Sequence, residues 1–135
     1  MRHCISIATA LIMLASVPAL ALNPGTDILV PAAGRAEPWR TDLYVMNPGS
    51  GTVSVTVEWL VRGQANPSPD SFTFSLGPGH TEIFEDIILE EFGFAGGGNA
   101  NGAFRVVADS EVVVNSRIYA DDGSPTFGPV SYTHL

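Results

Sequence analysis

Apolar and polar side chains alternate with a period of two along most of this chain, the spacing that sends successive residues to opposite faces of a β-strand. Trp39, Thr41, Leu43 and Val45 share one face, with Arg40, Asp42, Tyr44 and Met46 on the other. Val53, Val55, Val57, Trp59 and Val61 alternate with Ser54, Thr56, Glu58, Leu60 and Arg62, and their β-branched side chains suit a half-buried pleated surface. Asn47-Pro48-Gly49-Ser50-Gly51 separates the two runs, so the pattern predicts a hairpin. Phe72, Phe74 and Leu76 predict a further strand. Gly77-Pro78-Gly79-His80 then places proline and glycine where a type II turn wants them, ahead of a short strand through Ile83. Phe104, Val106 and Ala108, a turn at Asp109-Ser110, and Val112, Val114, Ser116 and Ile118 predict a second hairpin. Asp27 to Val30 supplies an opening strand.

One segment departs from this period. Between Glu85 and Phe92, Phe84, Ile88 and Phe92 fall four apart, acidic residues stand at the start, and Gly93 follows the end. These features predict a helix of about two turns, too short to stand without tertiary packing, capping one open end of the fold. No long helix alternates with the strands, which excludes parallel α/β architectures. The expected class is all-β: an antiparallel two-sheet sandwich of about seven strands with one short capping helix.

The ends change the picture. Met1-Arg2-His3, the apolar run Cys4 to Val17 and the small residues of Ala19-Leu20-Ala21 have the order of a cleavable export signal. That run of fourteen residues falls short of the roughly 20 needed to span a bilayer. Residues 1–21 are therefore expected to be a signal peptide, residues 22–128 the folded domain, and residues 129–135 a non-native tail resembling a translated sequencing adapter. The expected location is secreted, periplasmic or cell surface, without membrane attachment after cleavage.

Cys4 leaves with the signal, so no disulfide can staple the rest. Lysine is absent, and five arginines beyond residue 21 face fourteen acidic residues. Nucleic acid, which needs a basic stripe, is excluded by that balance, and docking on anionic lipid is disfavoured.

Trp39 to Gly49, the valine-rich run after it, Leu76-Gly77-Pro78-Gly79, Ser116-Arg117-Ile118-Tyr119 and Thr126-Phe127-Gly128 resemble Ig-like β-sandwich modules of exported bacterial proteins. The likeness covers roughly Asp27 to Gly128 and implies a fold, with no catalytic residue to carry over.

Candidate chemistry is sparse. No nucleophilic cysteine remains, and no Gly-x-Ser-x-Gly elbow occurs; Pro48-Gly49-Ser50-Gly51 is a turn. His80, without converging ligands, makes neither a triad nor a zinc site. Glu82, Glu85, Asp86, Glu90 and Glu91 read as a solvated face. Asp121 and Asp122 are weak calcium candidates that lack the spacing of an EF loop, and the glycine-rich stretch Gly96 to Gly102 lacks the lysine of a phosphate loop. No enzyme activity, cofactor or metal is expected. Asp42 and Arg117 can form a cross-strand ion pair if their strands neighbour.

Tyr44, Met46, Leu60, Val107, Val113 and Tyr119 occupy solvent-side positions and would form a docking patch if contiguous. The expected function is that of a non-catalytic extracellular structural or protein-interaction module, the N-terminal part of a larger exported protein. Tyr44, Met46, Leu60 and Tyr119 are its expected anchors on a protein partner or adjacent module. The alternative is a carbohydrate-binding module whose exposed rings, Tyr44 and Tyr119, stack on a polysaccharide.

Overall fold

The computed structural model describes residues 23–93, 100–123 and 130–131. They form strands β1 (Gly25–Arg35), β2 (Trp39–Met46), β3 (Val53–Val61), β4 (Asp70–Leu76) and β5 (Thr81–Phe84), the single helical turn α1 (Ile87–Glu90), and strands β6 (Ala100–Ala120) and β7 (Val130–Ser131). Every strand pairing is antiparallel, in the order β4-β3-β6-β2-β5, with β1 and β7 also pairing with β6. The class is all-β, as the alternation predicts.

Neither predicted hairpin forms. β2 pairs with β5 and β6, whereas β3 pairs with β4 and β6, so the two strands flanking Asn47–Gly51 do not pair with each other. They run in series along β6: Trp39 lies opposite Ala120, Met46 opposite Val113, Val55 opposite Ala108 and Val61 opposite Gly102. Likewise Asp109-Ser110 does not reverse the chain. β6 continues through it for 21 residues, its first half paired with β1 and β3 and its second with β2.

Three stretches therefore turn one shared corner, at Asn47–Gly51, at Gly77–His80 and at Asp109–Glu111, and the sheet curls there. The Asp109 carboxylate accepts the Ser54 amide at 3.0 Å, tying two of these bends together. Gly79 has a φ of 68°, and the His80 amide donates to the Gly77 carbonyl at 3.2 Å, as the type II turn requires.

The inward face keeps its phase through the bend. Phe104, Val106, Val112, Val114 and Ser116 of β6 are all buried. The four apolar ones form one core with Leu43, Val45, Val53, Val55, Val57 and Trp59 on the concave side of the sheet. On β1 the phase shifts by one between Val30 and Ala33, where the pairing with β6 is irregular, so both residues are buried.

The helix is shorter than predicted. Asp86 precedes it at a φ of 43°, and its carboxylate turns away to two arginines rather than capping the helix. Ile87 and Ile88 are fully buried. Phe84 and Phe92, on either side of the turn, meet Phe72 at ring separations of 5.2 and 5.5 Å. This aromatic seam lies between the edge strands β4 and β5. Residues 1–21, most of the glycine-rich stretch, Thr126–Gly128 and His134 lie outside the described residues; Val130 and Ser131, from the segment read as a tail, pair with Arg117 and Ser116.

Candidate functional site

The two outward faces of the sheet differ sharply. On the half built from β1, β6, β3 and β4 the outer face is polar. Thr56 and Thr73 share a hydrogen bond at 2.8 Å, and Arg105 grips Asp27 with two bonds at 2.8 and 2.9 Å while facing Glu58. The hydrogen bond from Arg105 holds the Asp27 carboxyl below the usual carboxylate range. A depressed folded-state pKa stabilises above the unfolded value of about 3.9 and loses that effect as pH falls through the folded value. Asp27→Asn is therefore expected to lower the melting temperature slightly at neutral pH and to flatten the profile below about pH 4, where parent and variant converge.

On the half built from β5, β2 and β6 the end of the outer face nearest the shared corner carries apolar side chains. Tyr44 sits opposite Ile83 on one side and Asn115 on the other, and Met46 opposite Thr81 and Val113. Ile83 is 51% and Met46 39% exposed. Tyr44, Met46 and Val113 thus come together as the alternation suggests, and Ile83 joins them. Leu60 lies elsewhere, beside Ala103 on the polar half, and Val107 pairs there with Thr56 and Asp27. Tyr119 lies opposite Arg40, four residues along β6 from the partner of Tyr44. The Arg117 guanidinium covers one face of its ring at 4.4 Å. The two tyrosines therefore do not form one platform.

Between Tyr44 and Tyr119 sits a charged knot. Asp42, on the face expected to be solvated, has a side chain only 2% exposed. Its Oδ2 accepts the Arg117 Nη2 at 2.8 Å, and its Oδ1 accepts the Asp86 amide at 3.0 Å. Arg35 and Arg40 both reach the Asp86 carboxylate, at 3.0 and 3.2 Å, and Glu37 closes the cluster over Arg40. The arrangement locks α1 onto β1 and β2. Arg117→Met would leave the Asp42 carboxylate buried without its cation. We expect a loss of about 2 kcal/mol in thermal melts at pH 7, below the 3–5 of a fully buried pair because water reaches the half-exposed guanidinium.

A groove of about 410 Å³ opens beside the knot, at the end of the sheet away from the shared corner, with residues from both ends of β6 in its lining. Pro31 to Ala36 form one wall, and Trp39, Arg62, Asn101, Gly102 and Ile118 complete it. Trp39 does point to the core side, as its period predicts, but it stands at the rim and is 48% exposed. Its place at the end of β2, beyond the last buried layer, is what the alternation could not convey.

The remaining candidates stay apart. His80 is exposed in its turn. Glu82, Glu85, Glu90 and Glu91 border a shallow surface depression, while Asp86 belongs to the knot. Asp121 is exposed and its amide donates to the Pro38 carbonyl at 2.7 Å; Asp122 is exposed as well. Among the described residues no group of three or more His, Cys, Asp or Glu converges as a metal site.

No protein-family model and no curated protein matches the chain. Among solved structures it is similar to the crystal structure of Thermotoga maritima 1070, with a TM-score of 0.63 and 13% identity over 83% of this chain and 97% of that one. At that identity the likeness concerns the fold alone.

Proposed function

We propose that this chain is a non-catalytic extracellular module that docks through the outer face of β5, β2 and β6 onto a protein partner or neighbouring module of a larger exported protein. In this reading the curled sheet works as an Ig-like sandwich in which β6 serves both layers. One observation carries the docking reading: Tyr44 with Ile83, and Met46 with Val113, are direct cross-strand neighbours on a face that includes two large exposed apolar side chains. A contiguous patch of that kind marks an interaction surface, whereas the same residues scattered would not. The opposite outer face, with its threonine ladder and arginine pairs, supplies the contrast.

A sticky face of this size finds itself at high concentration. Sedimentation equilibrium of the purified chain should show reversible association with a Kd on the order of 0.1–1 mM, as expected for a small, weak interface. Ile83→Lys should abolish it without changing the melting temperature by more than about 2 °C, since Ile83 is exposed. A strictly monomeric wild-type chain at the upper end of that range would remove the support for docking through this face.

A further inference from the structure

The groove at Trp39 carries a second assignment, independent of the sheet face. We infer that it binds an acidic saccharide, with a uronate carboxylate on Arg62 and the sugar ring against the Trp39 indole. Arg35 and Arg40 hold Asp86, Arg105 holds Asp27 and Arg117 holds Asp42. Among the described residues the fifth arginine, Arg62, is exposed and has no carboxylate partner, and it faces this groove. In a chain with fourteen acidic residues, an uncommitted guanidinium is the exception.

Among the described residues no acidic side chain lines the groove; its charged lining residues are Arg62 and Arg35, the latter already paired with Asp86. An anion entering it therefore meets the positive charge of Arg62 within an otherwise negative molecule. Arginine presents a planar fork that fits a carboxylate with two parallel bonds.

The rest of the lining selects what carries the carboxylate. The half-exposed indole offers a π-face to the slightly positive C–H groups on one side of a pyranose. The exposed Asn101, at the groove's edge, supplies a carboxamide that can both donate to and accept from hydroxyls. A mostly apolar trough with a few polar groups is the usual form of a small-ligand site. An acidic peptide is the poorer occupant. It would bind best by adding a strand, yet the β1 wall contains Pro31, which has no N–H, and falls out of regular pairing between Val30 and Ala33.

Calorimetric titration of the purified chain with trisaccharides of galacturonate and of mannuronate tests this. At least one should bind, and Trp39→Ala and Arg62→Gln should each weaken it tenfold or more while far-ultraviolet circular dichroism stays unchanged. Trp59 is buried, so acrylamide quenching reports on Trp39, and the bound trisaccharide should protect it. Ile83→Lys should leave the affinity unaltered, which separates this site from the docking face. The assignment is overturned if neither trisaccharide binds, if the methyl-esterified trisaccharide binds equally well, if hexaglutamate binds more tightly, or if the Trp39 and Arg62 variants retain full affinity.

Discussion

Gly102→Ala is expected to destabilise the chain by about 3 kcal/mol, the upper end of what overpacking one methyl group costs. A Cβ at this position would fall on the Leu60 carbonyl oxygen and stand 2.8 Å from Trp59 Cη2. Neither neighbour can yield cheaply. Leu60 is in the β3–β6 ladder opposite Ala103, and the Trp59 ring packs against Phe104 at 5.1 Å and Phe92 at 6.2 Å. Gly102 itself is held on both sides, by Val61 of β3 and Ala33 of β1. Relief would have to open three strands or displace the aromatic cluster. Urea unfolding should show the shift in midpoint with little change in slope, and the melting temperature should fall by roughly 12 °C for a domain of this size. Gly51→Ala is the control: a Cβ there meets nothing within 4 Å, and its effect should stay within about 0.5 kcal/mol. A Gly102→Ala chain as stable as the parent would mean that β3 and β6 do not approach as closely as described.

Strand positions were legible because each inward face keeps its period: Leu43 and Val45, Val53 to Trp59, and Phe104, Val106, Val112 and Val114 are buried as the alternation requires. Strand partners were not. A Gly/Pro/Asn break marks a change of direction, but a reversal and a bend use the same residues. At Asn47–Gly51 the choice falls to the bend because hydrogen bonds from distant residues hold it. At Asp109-Ser110 the inward residues stay in phase across the break, so β6 can curve around the core without changing face. The Gly77–His80 turn was legible in full, since its demand for a positive φ at Gly79 is local.

The site was legible in a different measure. Periodicity placed Tyr44, Met46 and Val113 outward, and register then joined them. Ile83 escaped because the strand carrying it has four residues, too few to show a period. Asp42 was placed outward and does point to that face, yet it is buried, because α1 folds over it and donates the Asp86 amide. No spacing along the chain signals a contact between residues 42 and 86. Trp39 shows the converse: its direction was legible and its depth was not, since burial depends on where the neighbouring strands end.

Asn47→Ala should cost about 3 kcal/mol, because several backbone groups lose their partner at once and each buried one costs roughly 1–3 kcal/mol unsatisfied. Asn47 is 1% exposed. Its Nδ2 donates to the carbonyls of Gly51 at 2.7 Å and of Leu76 and Gly77 at 3.0 Å, and its Oδ1 accepts the Gly49 amide at 2.9 Å. Its own backbone N–H donates to the His80 carbonyl, and its carbonyl accepts the Gly79 amide. One side chain thus pins two of the three bends at the corner where the sheet curls. Asn47→Asp separates this role from packing. The replacement is isosteric, but a carboxylate oxygen would face three carbonyl oxygens with no proton to give. Burial and those oxygens would raise its folded pKa above the unfolded value of about 3.9. The folded state then binds more protons across that window, so the stability of Asn47→Asp relative to the parent should fall as pH rises through it and recover as pH drops below it. Paired melts at pH 4 and pH 7 would show the recovery; a constant difference between the two would mean that the Nδ2 bonds do not hold the corner.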